Sequence, residues 1–267
     1  MLPAIIIVTL FGLALGSFAN CLIWRLYKQE KISGRSYCPL CRRQLRWYDN
    51  IPLLSYLFLR GRCRFCRQRI SWQYPAVELL TAVLFVFFWC KYLGFTWLAP
   101  EALAAGLHTA VFWLLVGRAW LAVWSLVVIF VFDLRFYLIP NAVVIPVTAA
   151  FILINLLLGA PWLLLLATMA AAVAFFGSQF ILTRGRGLGE GDIWLGLLLG
   201  ALFPDWGLLI AAVLAAYFAG TIVGLSLIAA GHKSWSSKLP LGVFLAFGAI
   251  FALAWGQGLI AAYQAWL

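Results

Sequence analysis

Long, unbroken apolar runs recur along the chain, and only one polar stretch of any length separates them. The runs extend from Leu2 to Trp24, Ala76 to Trp89, Ala102 to Phe132, Ile139 to Leu158, Trp162 to Leu182, Ile193 to Phe203, Gly207 to Ala230 and Leu241 to Trp266. A helix rises about 1.5 Å per residue and the hydrocarbon core of a bilayer is about 30 Å thick, so runs of this kind predict membrane-crossing helices. In lipid, the backbone polar groups of a spanning segment must be satisfied within the protein. The pattern therefore predicts an all-α polytopic membrane protein with about eight transmembrane helices.

Two of these runs depart from the ideal length. Ala102 to Phe132 is too long for one perpendicular crossing and is interrupted by Gly117 and Arg118; it reads as one tilted span preceded by an interfacial segment. Ile193 to Phe203 is short, and Gly200, Pro204 and Gly207 mark a broken helix, which a membrane tolerates only where protein or a cavity surrounds it. The first run resembles a signal peptide in length but lacks a basic start and continues through GSFAN into Arg25, so it reads as a retained first span.

Composition agrees with the pattern. Of 267 residues, 66% are hydrophobic and 10% charged, with a mean hydropathy of +1.03, which excludes a soluble domain. Charge then supplies orientation. The polar stretch from Arg25 to Tyr74 holds 12 of the 19 Lys and Arg residues against only Glu30 and Asp49. Such asymmetry marks a cytoplasmic loop. Eight crossings place Arg184, Arg186, Lys233 and Lys238 on that same side and both termini outside, whereas a ninth crossing would reverse every later loop. Three regions follow: residues 1–24 as the first span, 25–74 as a basic cytoplasmic loop between the first two spans, and 75–267 as the remaining membrane domain.

Inside the loop, Cys38-Pro-Leu-Cys41 and Cys63-Arg-Phe-Cys66 form two CxxC pairs with 21 residues between them. Four thiolates at this spacing suit a closed, structural zinc site, and a small loop with little apolar core needs such a staple. Two disulfides are the alternative, disfavoured in a reducing compartment. The surrounding arginines could contact nucleic acid, but a juxtamembrane basic cluster is more simply a topology signal that also attracts anionic membrane lipid. No nucleic-acid partner is expected.

Asp133 and Asp192 each sit at the end of an apolar run. An intramembrane carboxylate is costly enough to imply function, and two of them suggest paired acid/base chemistry. Gly189 and Gly191 flank Asp192, either admitting a substrate backbone or packing a helix, and Pro140 ends the helix after Asp133. Glu78 opens the second span, where an arginine of the loop is its expected partner. Ser17 and Asn20 are expected to hydrogen bond between helices. His108 and His232 have no matching ligand cluster.

Taken in order, these residues resemble the type IV prepilin peptidases. FGLALGSFAN with Arg25 is similar to the family's opening span, and GRSYCPLC, WYDNIPLLSYLFLRGRC, RFC and ISWQYPAVELLTA to its zinc domain. DLRFYLIPN and GLGEGDIWLG resemble the two aspartate-bearing segments, and KLPLGVFLAFGA the closing proline and glycine signature. The resemblance implies an aspartyl intramembrane peptidase of the bacterial inner membrane. Such an enzyme cleaves the basic leader of prepilins and of secretion or competence pseudopilins after a glycine, at the cytoplasmic face, and methylates the new N-terminus using S-adenosylmethionine. Carried over by position, Asp133 and Asp192 become the catalytic pair and Cys38, Cys41, Cys63 and Cys66 the zinc ligands. Gly61 falls among residues linked to methylation, although a turn glycine ahead of Cys63 is the plainer account. Glu190 and Trp194 depart from the family pattern, the first standing where an apolar residue is common and the second where a basic one is frequent; together they make the field beside Asp192 more negative, which would shift the pH optimum upward. A membrane transporter and a non-enzymatic zinc scaffold are the rival readings, and no convincing inverted repeat supports the transporter.

Overall fold

The computed structural model describes residues 2–97, 107–234 and 237–266, for 94–97 and 107–109 in the backbone only. The described residues form nine α-helices: α1 Leu2–Lys28, α2 Leu54–Phe58, α3 Gln73–Trp97, α4 Leu107–Phe136, α5 Asn141–Leu157, α6 Trp162–Leu182, α7 Glu190–Leu202, α8 Trp206–Ala229 and α9 Leu241–Trp266. The described residues include no strand longer than an isolated bridge. The side chain of His108 and the start of the Ala102 to Phe132 run lie outside the described residues. From Leu107 on, that run is one helix that passes through Gly117 and Arg118 without a break.

Among the described residues six helices, namely α1, α3, α4, α6, α8 and α9, are long and apolar enough to cross a membrane. At 17 and 13 residues, α5 and α7 reach only about 26 and 20 Å. For α7 the sequence gives the reason. Leu195, Leu198, Leu199, Ala201 and Leu202 are all fully buried, so this short helix is enclosed by protein rather than lipid.

Two compact units divide the chain, Met1–Phe112 and Trp113–Leu267. In the first, α1 packs on α3. Gly12 and Gly16 make this contact close, for a β-carbon at either would meet the α3 backbone of Ala82 or Glu78 at 2.6 Å. The expected interhelical hydrogen bonds are present: Asn20 Nδ2 donates to the Tyr74 carbonyl at 3.1 Å, and Gln73 Nε2 donates to Asn20 Oδ1 at 3.2 Å. Arg25, buried at the end of α1, donates to the carbonyls of Ile32, Gly34 and Arg35 and so fixes the turn into the loop.

In the second unit α7 packs between α5 and α6, and α8 packs on α9. Hydrogen bonds reinforce the small-residue contacts. Asn155 Nδ2 of α5 donates to the Ala201 carbonyl at 2.6 Å, and Thr168 Oγ1 of α6 to the Gly200 carbonyl at 3.0 Å. Arg118 of α4 donates to the Leu202 carbonyl at the end of α7. The last carbonyls of α7 thus find partners just before Pro204 ends the run.

Candidate active site

The cleft that matters lies in the second unit and is built from chain ends that helices cannot continue. Asp133 sits in the last turn of α4, and Pro140 follows as the residue before α5, lacking the N–H that a longer helix would need. Asp192 sits in the first turn of α7. There its Oδ2 accepts from the Gly189 N–H at 2.8 Å, satisfying one of the amides that a helix start leaves open. The positive end of the α7 dipole adds to this preference for a carboxylate.

Both aspartates are buried, at 5% and 9% exposure. They line one cleft of about 880 Å³, and their charges lie within electrostatic range of each other. Asp133 Oδ2 accepts from the Val243 amide at 3.2 Å, the start of α9 serving as a second anchor. The side chain of Ile139 packs against Gly191 and Gly242. A β-carbon on Gly191 would come within 2.7 Å of Ile139 Cβ, and one on Gly242 within 2.7 Å of Ile139 Cδ1 and 2.8 Å of Asp133 Oδ2. Gly191 is therefore a packing glycine. Gly189, whose nearest neighbour would be the Asp192 carboxylate at 3.7 Å, is the one that stays open.

Several cleft residues carry no signal in the residue order. Gln179 of α6 and Tyr217 of α8 both line it, and the Tyr217 hydroxyl donates to Gln179 Oε1 at 2.8 Å. The residue order likewise gives no sign of the contact of Gly242 and Val243 with Asp133. The KLPLGVFLAFGA segment that contains them carries a proline and glycine pattern but no group that names Asp133 as its neighbour. Glu190 lies on the rim, exposed. His232 is exposed as well.

The four cysteines converge in the first unit. One Sγ from each of Cys38, Cys41, Cys63 and Cys66 lies within 4.8 Å of the others, and all four thiols are free. A tetrahedral zinc with Zn–S near 2.3 Å needs S···S separations of about 3.8 Å, and Cys38 and Cys66 stand at 3.9 Å. The set therefore fits a metal ion. Burial pushes the Cys38 thiol up to about 11. Burial acts in the same direction on Cys63, but hydrogen bonds from the Cys66 and Phe65 amides overcome it and bring that thiol down to about 7.

The two CxxC turns share one construction, offset by 25 residues. Cys38 N–H donates to the Arg43 carbonyl at 3.0 Å and Arg42 N–H to the Cys38 carbonyl at 2.8 Å; Cys63 pairs with Gln68 and Arg67 at 2.9 and 3.0 Å. The bridges Tyr37 to Gln44 and Arg62 to Arg69 close both turns. Gly61 falls within the second turn, buried with φ +65°, and a β-carbon there would meet the Tyr56 hydroxyl at 2.9 Å.

Glu78 corrects an expectation. Its partner is not an arginine: Glu78 Oε2 accepts from the backbone N–H of Leu53 at 2.8 Å. The loop carboxylate that does take an arginine is Asp49, whose Oδ1 lies 2.8 Å from Arg64, and this contact holds the Arg64 guanidinium above its ordinary value.

Residues 10–92 match the family model described as the bacterial peptidase A24 N-terminal domain, and residues 120–225 the model of the type IV leader peptidase family. A prepilin leader peptidase/N-methyltransferase of Bacillus subtilis is 34% identical, covering 96% of this chain and 96% of its own length. The chain belongs to the type IV leader peptidase family. This leader peptidase is also 32% identical to the prepilin leader peptidase/N-methyltransferase of Aeromonas hydrophila, over 95% of this chain and 91% of that one. The protein of the same description from Myxococcus xanthus is 37% identical, over 83% of this chain and 62% of that one. No solved structure matches significantly. Family and helices together make the chain a multi-pass membrane peptidase.

Proposed function

We propose that this peptidase removes the basic leader of prepilins and pseudopilins by aspartyl catalysis at the cytoplasmic face of the bacterial inner membrane. One observation carries the reading: Asp133 and Asp192, 59 residues apart in sequence, line a single cleft with their carboxylates in electrostatic range. Two carboxylates so placed share one proton. The ionised member takes a proton from water as the water oxygen attacks the scissile carbonyl carbon, and the protonated member gives its proton to the carbonyl oxygen. As the resulting diol collapses, the carboxyl that took the water proton passes it to the nitrogen and the other carboxylate takes back a diol proton, so the C–N bond breaks to leave a carboxyl group on the leader and a free amine on the mature protein, with the dyad restored. The dyad acts as a unit, so the two roles belong to the pair.

The names of the relatives support a second step, transfer of a methyl group to that amine. S-adenosylmethionine is the methyl donor such a step requires. The four-cysteine loop, residues 25–74, is assigned to it, with zinc held by Cys38, Cys41, Cys63 and Cys66 as a structural ion and no open coordination position. With α5 and α7 added to the six long helices, the chain makes eight crossings, and the basic loop faces the cytoplasm.

The test is cleavage of a prepilin peptide by the purified protein and by Asp133→Asn and Asp192→Asn. Each substitution should abolish cleavage while leaving methyl transfer to a pre-cleaved peptide intact. Cleavage that survives both would refute the dyad. Failure of folded wild type to cut any prepilin would favour a transporter or scaffold.

A further inference from the structure

The short helix α2 presents an apolar face that the described residues of its own unit leave exposed. Leu54, Leu57 and Phe58 fall on one side of it and are 51%, 68% and 82% exposed. Tyr56 faces the other way, its hydroxyl reaching the Ile70 carbonyl at 3.5 Å. Trp47 and Trp72, at 75% and 76%, are exposed in the same loop. A zinc-stapled loop surrounded by water would gain nothing from these side chains.

Their height relative to the membrane follows from Glu78. The residue that opens α2, Leu53, has φ +59° and is held by its N–H donating to Glu78 Oε2. Glu78 lies five residues into α3, roughly 7 Å along the axis of a membrane-crossing helix. The start of α2 is thereby fixed beside the first turns of that helix and not above them. Trp72 stands immediately before α3, the position tryptophan favours at a membrane interface.

Charge names the lipid. From Ile51 to Trp72 the chain has no acidic residue, while Arg60, Arg62 and Arg69 are exposed. The nearest preceding carboxylate, Asp49, is already paired with Arg64. A basic peptide, or a second copy of this loop, would meet these cations with like charge. An anionic headgroup meets them with the opposite one.

We propose that α2 is an interfacial anchor: Leu54, Leu57 and Phe58 insert at the headgroup–acyl boundary of the bilayer that the chain spans, and Arg60, Arg62 and Arg69 bind the phosphates of anionic phospholipids. The four-cysteine loop is then laid against the membrane surface. Neither peptide cleavage nor methyl transfer is required for this inference.

The full chain in nanodiscs tests it, using phosphatidylglycerol or phosphatidylcholine probes that carry a photoreactive diazirine near the acyl carbonyl. Peptides covering residues 54–58 and Trp72 should be labelled by the phosphatidylglycerol probe about tenfold more than by the phosphatidylcholine probe. Leu57→Glu combined with Phe58→Glu should remove the α2 label while the protein stays monodisperse in detergent. If that variant does not fold, amide exchange of wild type decides, with residues 54–60 slowed in phosphatidylglycerol nanodiscs relative to detergent. No label on α2, or equal exchange in the two media, overturns the anchor. Equal labelling by both probes overturns the arginine contacts, and protection that appears only as protein concentration rises assigns the face to a second copy.

Discussion

Gly242 touches the Asp133 carboxylate so closely that a β-carbon in its place would lie 2.8 Å from Oδ2. The neighbouring Val243 amide donates to that same oxygen. Gly242→Ala should therefore displace the carboxylate without unfolding α9. A misplacement of about 1 Å can cost roughly 100-fold in rate. We expect kcat for prepilin cleavage to fall by about that factor with KM little changed, and steady-state kinetics on a prepilin peptide would check it.

Metal removal should separate the two activities. Because the loop has two matching CxxC turns and little apolar core, chelation should unfold residues 36–70 together, seen as fast amide exchange across that whole stretch. Methyl transfer should be lost, while cleavage by Asp133 and Asp192 persists. Loss of cleavage in step with loss of the metal would contradict this.

At Gly61 the expectation is structural. Its φ of +65° and the nearby Tyr56 hydroxyl make a side chain there unfavourable, at a cost of about 1 kcal/mol or more. Gly61→Ala should weaken zinc retention and methyl transfer together. Methyl transfer abolished with full zinc content, measured by elemental analysis, would instead make Gly61 part of the transfer site.

Glu190 supplies a negative charge at the rim of the cleft. Repulsion from it opposes the single negative charge that the dyad must carry, so Glu190→Gln should let that charge form at lower pH. The acidic limb of the cleavage profile should move down by about half a unit or less, since Glu190 is exposed and an exposed charge acts weakly. Maximal cleavage should be unchanged. An unmoved limb would remove Glu190 from any account of the pH optimum.

Much of this was legible in the residue order because the costs are local. A carboxylate in an apolar run or two CxxC pairs in a basic loop demand explanation wherever they occur, and both Asp133 with Asp192 and the four cysteines do come together. What the order could not give were contacts between distant backbones. Gly242 meets Asp133 across more than a hundred residues, and Leu53 meets Glu78 through an amide that every residue type but proline possesses. The arginine expected at Glu78 failed for that reason: a backbone donor leaves no trace in the sequence. Helix lengths were legible only in part, because whether a 13-residue helix is enclosed by protein depends on partners that periodicity does not name.

Ile139 carries neither charge nor hydrogen-bonding group in its side chain, yet it packs against both Gly191, beside Asp192, and Gly242, beside the Val243 amide that holds Asp133. The backbone beside Asp192 and the backbone beside the Asp133 anchor are thus spaced by one aliphatic side chain. Hydrogen bonds aim the carboxylates, and a hydrocarbon wedge lies between the backbone segments beside them. Reshaping that wedge would retune the chemistry while leaving every polar atom of the site in the sequence.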